Sequence, residues 1–460
     1  MGYKIYIILL LCISIILSVE ITGDSLREKL ADKQNEILER DEEFDTYVLG
    51  ISSPKVDPDF LLHERDVVIK STSIWLKSNL INREDILNYV LPYRINNAHD
   101  LSWRNKVRED LPIKEINKVY AKDEFIDFCD IINDSIRNKI VFDLRMEDEN
   151  FMSYTKLQKV RKGSCAAMTD FTNYTFRAFG IPVTTDFVPT WGNLNSASHS
   201  WNVLLLKDQN IPFMGTESYI RQYNPLQLSK CSVCQQVTYR IPPKVYRKSK
   251  YHKESFFFLK EKVIDVTDEY VDVQDIRIHN RDHLPELYLA TFNNGKFIIN
   301  SKGTPHEDDF SFSKMAKGLV YFPVSIKNNK IYPVDYPIVC GKNYYNVANP
   351  NWETPIDVKV DFLESLEEAQ FKHIKKHGYG MKDDMTFYSN KIRVAPTDGK
   401  EYELYYWNRD WVLVKRATCI NQKLLFKGVP SSALYLIKSN TQDFSEKRFF
   451  TYSNDSLYWF

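Results

Sequence analysis

Two stretches decide how this chain reads: Gly163-Ser164-Cys165-Ala166-Ala167-Met168-Thr169-Asp170-Phe171 and, thirty-four residues after the cysteine, His199-Ser200-Trp201-Asn202-Val203-Leu204-Leu205-Leu206. Met168, Phe171, Thr175 and Phe179 share one stripe, the period of a helix over 163–179. Gly180 with Ile181-Pro182 stops that helix. The second stretch reads as a strand opened by His199, with Trp201 and Val203 as core residues on either side of Asn202. A helix start favours a thiolate, because its backbone carries partial positive charge and unpaired N–H groups. A cysteine there and a histidine at a strand start are a plausible nucleophile and base.

Working outward, residues 183–188 read as a strand, Asp208-Gln209-Asn210 as a turn, and the chain near Phe213 as a third short strand. Phe125, Phe128, Ile132 and Ile136 mark a helix over 125–140. Residues 24–120 have a helical texture, with helical periods over 67–80 and 84–90, stopped at Leu91-Pro92. Tyr93-Arg94 and Trp103-Arg104 suit bracing against a neighbouring domain better than catalysis. Beyond 250 the grammar is that of strands and turns: residues 286–292 followed by Asn293-Asn294-Gly295 predict a hairpin. The expected class is α+β. A helical region (24–120) precedes a core with an antiparallel sheet (121–250) and two β-sandwich-like modules (251–350 and 351–460), divided near Asn351.

Composition narrows the partners. Lys and Arg number 61, as do Asp and Glu, so no net field draws the chain to nucleic acid. The first residues are mildly basic and lead into an apolar run over 5–17, too short to span a bilayer and matching a secretory signal core. Residues 1–23 therefore predict export to a periplasm, an outer-membrane surface or the medium. Membrane contact is expected only through that segment or through a lipid anchor at Cys12, which bulky Leu9-Leu10-Leu11 disfavours. Cys231-Ser232-Val233-Cys234 is a lone C-x-x-C without a second pair, so a local disulfide, or no role, outranks zinc. No metal and no cofactor are expected for the thiol chemistry. The basic run over 244–253 reads as a solvated linker, and the loop over 192–198 as the rim of a cleft.

Gly163-Ser164-Cys165 before a helix and Ser198-His199-Ser200-Trp201-Asn202 starting a strand resemble the transglutaminase-like superfamily of papain-type thiol enzymes. The likeness extends to a multidomain version typical of exported proteins of gut Bacteroidetes. Segments like Leu91-Pro92-Tyr93-Arg94, Pro189-Thr190-Trp191 and Phe213-Met214-Gly215-Thr216-Glu217 recur there around the core. The resemblance implies a papain-like core and a Cys–His–acid triad acting on amides of a peptide, protein or glycopeptide. Cys165 would be the nucleophile and His199 the base and then the acid. Trp191 and the backbone N–H of Cys165 would serve the oxyanion. The Asp expected after the turn is absent. Glu217 is the candidate third member and Asp208 the reserve, with Asp208 expected to point away from His199. A symmetric count about Gln209 sets His199 opposite Tyr219, two positions from Glu217. The competing reading is an inactive scaffold of the same fold, whose aromatic-rich C-terminal modules bind a glycan or a cell-surface protein. An envelope redox protein built on Cys231 and Cys234 ranks third.

Overall fold

The structure is a computed structural model. It describes residues 58–460 except 93–94, 96–99, 101–102, 114–120, 147–151, 194–197, 228–239, 250–254, 257–260, 294–295, 342–344, 367–390 and 440–447. The expectations for residues 1–23, Cys12, Tyr93-Arg94 and the Cys231/Cys234 pair lie outside the described residues. The described part is mixed helix and antiparallel sheet, as the α+β expectation requires. No helix among the described residues is long and apolar enough to cross a membrane.

The first body is helices around one central helix. Helix α1 (Pro58–Lys77) is followed by α2 (Arg83–Asp85), which runs into a π-helical turn, Ile86–Val90. Helices α3 (Trp103–Asp110), α4 (Lys122–Ile136), α5 (Tyr154–Val160) and α6 (Cys165–Ala178) follow. Arg104, fully buried, donates to the carbonyls of Val90, Leu91 and Pro92 and pairs with buried Glu64. It thereby satisfies carbonyls that the end of a helix leaves without partners. Trp103 packs edge-on against Tyr174 of α6, with ring centroids 5.1 Å apart. This dipeptide braces the helical segment against the central helix.

Helix α6 departs from the stripe read in its sequence. Every residue from Ala167 to Ala178 is buried, polar ones included. A helix wrapped on all sides must settle its polar groups internally. Thr169, Thr172 and Thr175 return their hydroxyls to helix carbonyls at 2.8–3.1 Å, Asn173 donates to Thr185, and Arg177 Nε donates to the Val183 carbonyl.

A six-stranded sheet lies against α6, in the order β5 (Asn210–Phe213), β4 (His199–Leu205), β3 (Val183–Val188), β6 (Tyr246–Lys248), β8 (Glu261–Asp265), β7 (Ser255–Phe256). The remaining pair in this body, β1 (Val141–Phe142) with β2 (Lys162–Gly163), is parallel and leads directly into α6. The β3/β4 and β4/β5 pairings are antiparallel, and His199 faces Val188 in the register. The sheet runs on through β7 and β8, beyond residue 250, where the sequence reading ended this body. The basic run is also no solvated linker at its start. Lys244 is buried and pairs with Asp265, while Arg247 on β6 forks onto buried Asp186 of β3 with two bonds of 2.9 Å. The sheet interior supplies the carboxylates that a charge count along the chain cannot locate.

Two β-rich bodies follow. In the first, β9 (Val273–His279), β12 (Thr304–His306) and β13 (Asp309–Ala316) form one sheet. Its second sheet holds β10 (Tyr288–Asn293), β11 (Lys296–Lys302), β14 (Leu319–Lys327), β15 (Lys330–Pro333), β16 (Ile338–Cys340) and β17 (Tyr345–Val347). The expected hairpin is β10–β11, closing at Asn293 opposite Lys296. In the last body, β18 (Asn351–Val360) pairs with β23 (Leu424–Ser431), and β19 (Leu363–Leu366) with β20 (Lys391–Val394). A five-stranded sheet completes it: β22 (Trp411–Thr418), β21 (Glu401–Trp407), β24 (Tyr435–Ser439), β25 (Phe449–Ser453), β26 (Ser456–Trp459). Apolar residues of both bodies meet in one cluster that includes Phe322, Trp407, Leu434 and Phe449.

Candidate active site

Cys165 is the first residue of α6, and Ser164 caps the helix by accepting from the Ala167 N–H at 3.4 Å. A serine in that position turns the chain out of β2 and satisfies one of the amides exposed at a helix start. His199 is the first residue of β4. One buried amide fixes helix and strand to each other. Asn202, three residues along β4, donates to the Thr169 carbonyl (3.0 Å) and to Asn173 Oδ1 (3.1 Å), both on α6. Its own oxygen accepts from the Gly215 N–H at 3.2 Å, which seats the chain after β5 on the same pair. A Cβ on Gly215 would lie 2.0 Å from Thr172 Oγ1, so only glycine lets that chain cross the helix so closely.

His199 Nε2 lies 2.9 Å from the Tyr223 hydroxyl. The imidazole sits between two indoles, with centroids 6.4 Å from Trp191 and 5.9 Å from Trp201. Trp201 is itself held, its Nε1 donating to Tyr270, whose hydroxyl donates to Asp186 at 2.7 Å. The guanidinium of Arg240 lies over the Trp191 ring, 4.4 Å from its centroid. Its Nη2 donates to the Pro225 carbonyl at 3.1 Å, two residues beyond Tyr223. A thiolate at Cys165 acts electrostatically on both Tyr223 and Arg240. Cys165, His199, Trp191, Tyr223 and Arg240 therefore form one neighbourhood. Trp191 is fully buried; the other four are half-buried.

Burial takes His199 down from 6.5 to about 3, and the Arg240 cation pushes in the same direction. The ring is neutral at any physiological pH. Burial also raises the Tyr223 phenol, with Glu217 and Cys165 adding to the rise and Arg240 opposing it. Burial lowers Arg240, which the Tyr223 and Cys165 anions would counter.

Glu217 stands differently from expectation. The β4/β5 register pairs Asn202 with Phe213 and Leu205 with Asn210, so the hairpin centres between Lys207 and Asp208 rather than on Gln209. The return strand ends at Phe213, and residues 214–217 turn over α4 and α6: the Asn138 N–H donates to the Thr216 carbonyl, and Asn133 accepts from the Thr216 N–H. Glu217 is exposed on that turn, while protein crowding its carboxyl raises it above the usual carboxylate range. It reaches the site as a charge acting on Tyr223, and among the described residues it makes no hydrogen bond to His199. Asp208 is exposed in the hairpin turn, at the end of β4 far from His199.

Sequence reading missed Tyr223 and Arg240. Both lie on chain without regular period, where only the fold brings them to the histidine. Asp186 is an ionisable residue in the strand Val183–Val188, all of which is buried, a burial that its mixed sequence does not signal. Among the described residues no cluster of His, Cys, Asp and Glu could hold a metal ion. Compared with protein-family models and with curated proteins, the sequence matches none.

Proposed function

We propose that the protein is a thiol-dependent hydrolase or acyltransferase acting at an amide bond of a peptide, protein or glycopeptide, on a papain-like core of the transglutaminase type. The observation that carries this reading is the Tyr223 hydroxyl on His199 Nε2, with Tyr223 within electrostatic reach of a cysteine that opens a capped helix. The tautomer follows from what a base needs. With Nε2–H donating to the Tyr223 oxygen, Nδ1 keeps its lone pair and can take the Cys165 proton. The thiolate then attacks the carbonyl carbon, and positive potential at the start of α6 stabilises the oxyanion. The imidazolium returns its proton to the departing amine, leaving a thioester that water or a second amine resolves.

With His199 neutral, no imidazolium pairs with the sulfur at rest, so a proton held by the thiol passes to the ring as it attacks. A neutral phenol steadies an imidazolium less than a carboxylate does, and this one feature favours a second reading: an inactive scaffold that binds a glycan or cell-surface protein. The proposal includes export through residues 1–23.

Turnover of a panel of peptide, glutamine and glycopeptide amides by the wild type and by Cys165→Ala separates the two readings. Release of amine by the wild type, lost in Cys165→Ala, is the expected result. Equal rates in the two proteins, or no release from any substrate, would sink the enzyme reading.

A further inference from the structure

Arg240 is a permanent cation in this cleft, and among the described residues no carboxylate pairs with it. The groups that face it are Cys165 from the start of α6, His199 from the start of β4, and Tyr223 from the segment after β5, with Glu217 acting on Tyr223 from the neighbouring turn. Of these, only a Cys165 thiolate or a Tyr223 phenolate would offset its charge, and burial holds the phenol protonated. One edge of the guanidinium is spent on the Pro225 carbonyl, and one face on Trp191. Its Nε is buried without a hydrogen-bond partner among the described residues. A cation held this way costs free energy unless an anion arrives, and a planar fork beside a nucleophile matches a carboxylate.

Resting on the thiol reading above, we propose that Arg240 is the anion-recognition residue of the Cys165 cleft, and that the molecule attacked by Cys165 carries a carboxylate which this guanidinium receives.

The test uses two alkylating reagents that differ in one charge. Iodoacetate and iodoacetamide both react by the Cys165 sulfur displacing iodide from carbon, and at one pH both meet the same thiolate fraction. Their rate ratio therefore reports the field beside the sulfur, not the ionisation of the thiol. In the full-length protein, the ratio at Cys165 should exceed that of a free thiol by about tenfold and shrink toward it as salt is raised. Arg240→Gln should bring the ratio to the free-thiol value, while Arg240→Lys, which keeps the charge, should retain most of the excess. An N-acetylated amino acid should protect Cys165 from iodoacetamide better than its carboxamide does.

A wild-type ratio no higher than that of a free thiol would overturn the proposal. So would an Arg240→Gln protein, folded by circular dichroism, that keeps the wild-type ratio. Should Cys165 react with neither reagent, the thiol reading falls and this inference with it; reaction with iodoacetamide alone removes only the inference.

Discussion

Tyr223 Oη lies 2.9 Å from His199 Nε2, and there a phenol differs from a carboxylate in charge rather than in reach. It can fix the ring's tautomer, yet it adds no negative charge to stabilise an imidazolium. Tyr223→Phe removes the acceptor and frees the ring to carry its proton on either nitrogen. Turnover should fall by about 10–100-fold, up to the lower end of what a general acid or base contributes, since the base itself remains, and far-ultraviolet circular dichroism should not change. The lowered His199 also fixes a pH dependence. Because the folded ring titrates at about 3 and the ordinary value is 6.5, the ring is unprotonated throughout the neutral and mildly acid range. The acid limb of kcat/KM should therefore lie well below pH 6. The same shift bears on stability with a definite sign. Between 6.5 and about 3 the unfolded chain binds a proton that the folded one refuses, so stability from this group is full above 6.5 and falls as the pH is lowered. The slope is at most about 1.4 kcal/mol per pH unit, less for a half-buried ring screened by solvent. Urea unfolding of His199→Gln between pH 7 and 4 should show a flatter profile than the wild type.

At the scale of elements, the site depends on α6 and β4 keeping one register, and Asn202 is the joint. Replacing it by Leu preserves bulk but strands the buried Gly215 N–H and removes the donors to Thr169 and Asn173. Each buried group left unpaired costs about 1–3 kcal/mol, and denaturant midpoints of Asn202→Leu should drop accordingly. These elements were legible in the sequence: α6, β3 and β4 fall where period and proline set them. Local signals did not give the wrapping of α6, because Thr169, Thr172 and Asn173, which lie off the apolar stripe, bond back to carbonyls or across to β3. The hairpin register was read several residues too far along, because the turn tightens at Lys207-Asp208 with the Leu206 N–H on the Gln209 carbonyl. Carried on, the observed register would set Thr216 opposite His199, but β5 ends at Phe213 and the chain turns off over α4, which takes Glu217 away from the ring. Tyr223 lies on a segment whose position follows from turns and long-range bonds, such as Ile220 N–H to Asp130 of α4, which no spacing rule encodes.

Across the whole molecule, the chain just beyond Trp191 is held by parts far from it in sequence. Asn193, two residues beyond Trp191, accepts from the Ile241 N–H through its side chain, and its carbonyl accepts from buried Arg448 of the last body. Gly192 lies against Leu319 of the middle body so closely that a Cβ would fall 2.4 Å from a leucine methyl. The two β-rich bodies therefore both hold the residues that follow Trp191. They are joined to each other by rings: Trp407 packs edge-on against Phe322 with centroids 4.9 Å apart and against Phe297 at 5.9 Å, and Phe449 approaches Phe292 at 6.2 Å. Trp407 is buried at the centre of this cluster, so Trp407→Ala opens a cavity where the bodies meet rather than within either one. A buried Trp→Ala change costs about 3–5 kcal/mol, and here the loss falls on the coupling between the bodies. Calorimetry should show the β-rich transition moving to lower temperature and separating from that of the body holding Cys165. Below that transition, iodoacetamide should still label Cys165 at the wild-type rate, since the joint at Asn202 and the cap at Ser164 lie wholly within the first body. Slower labelling there would mean that the Arg448 hydrogen bond to Asn193 and the packing of Leu319 on Gly192 set the geometry of the cysteine as well.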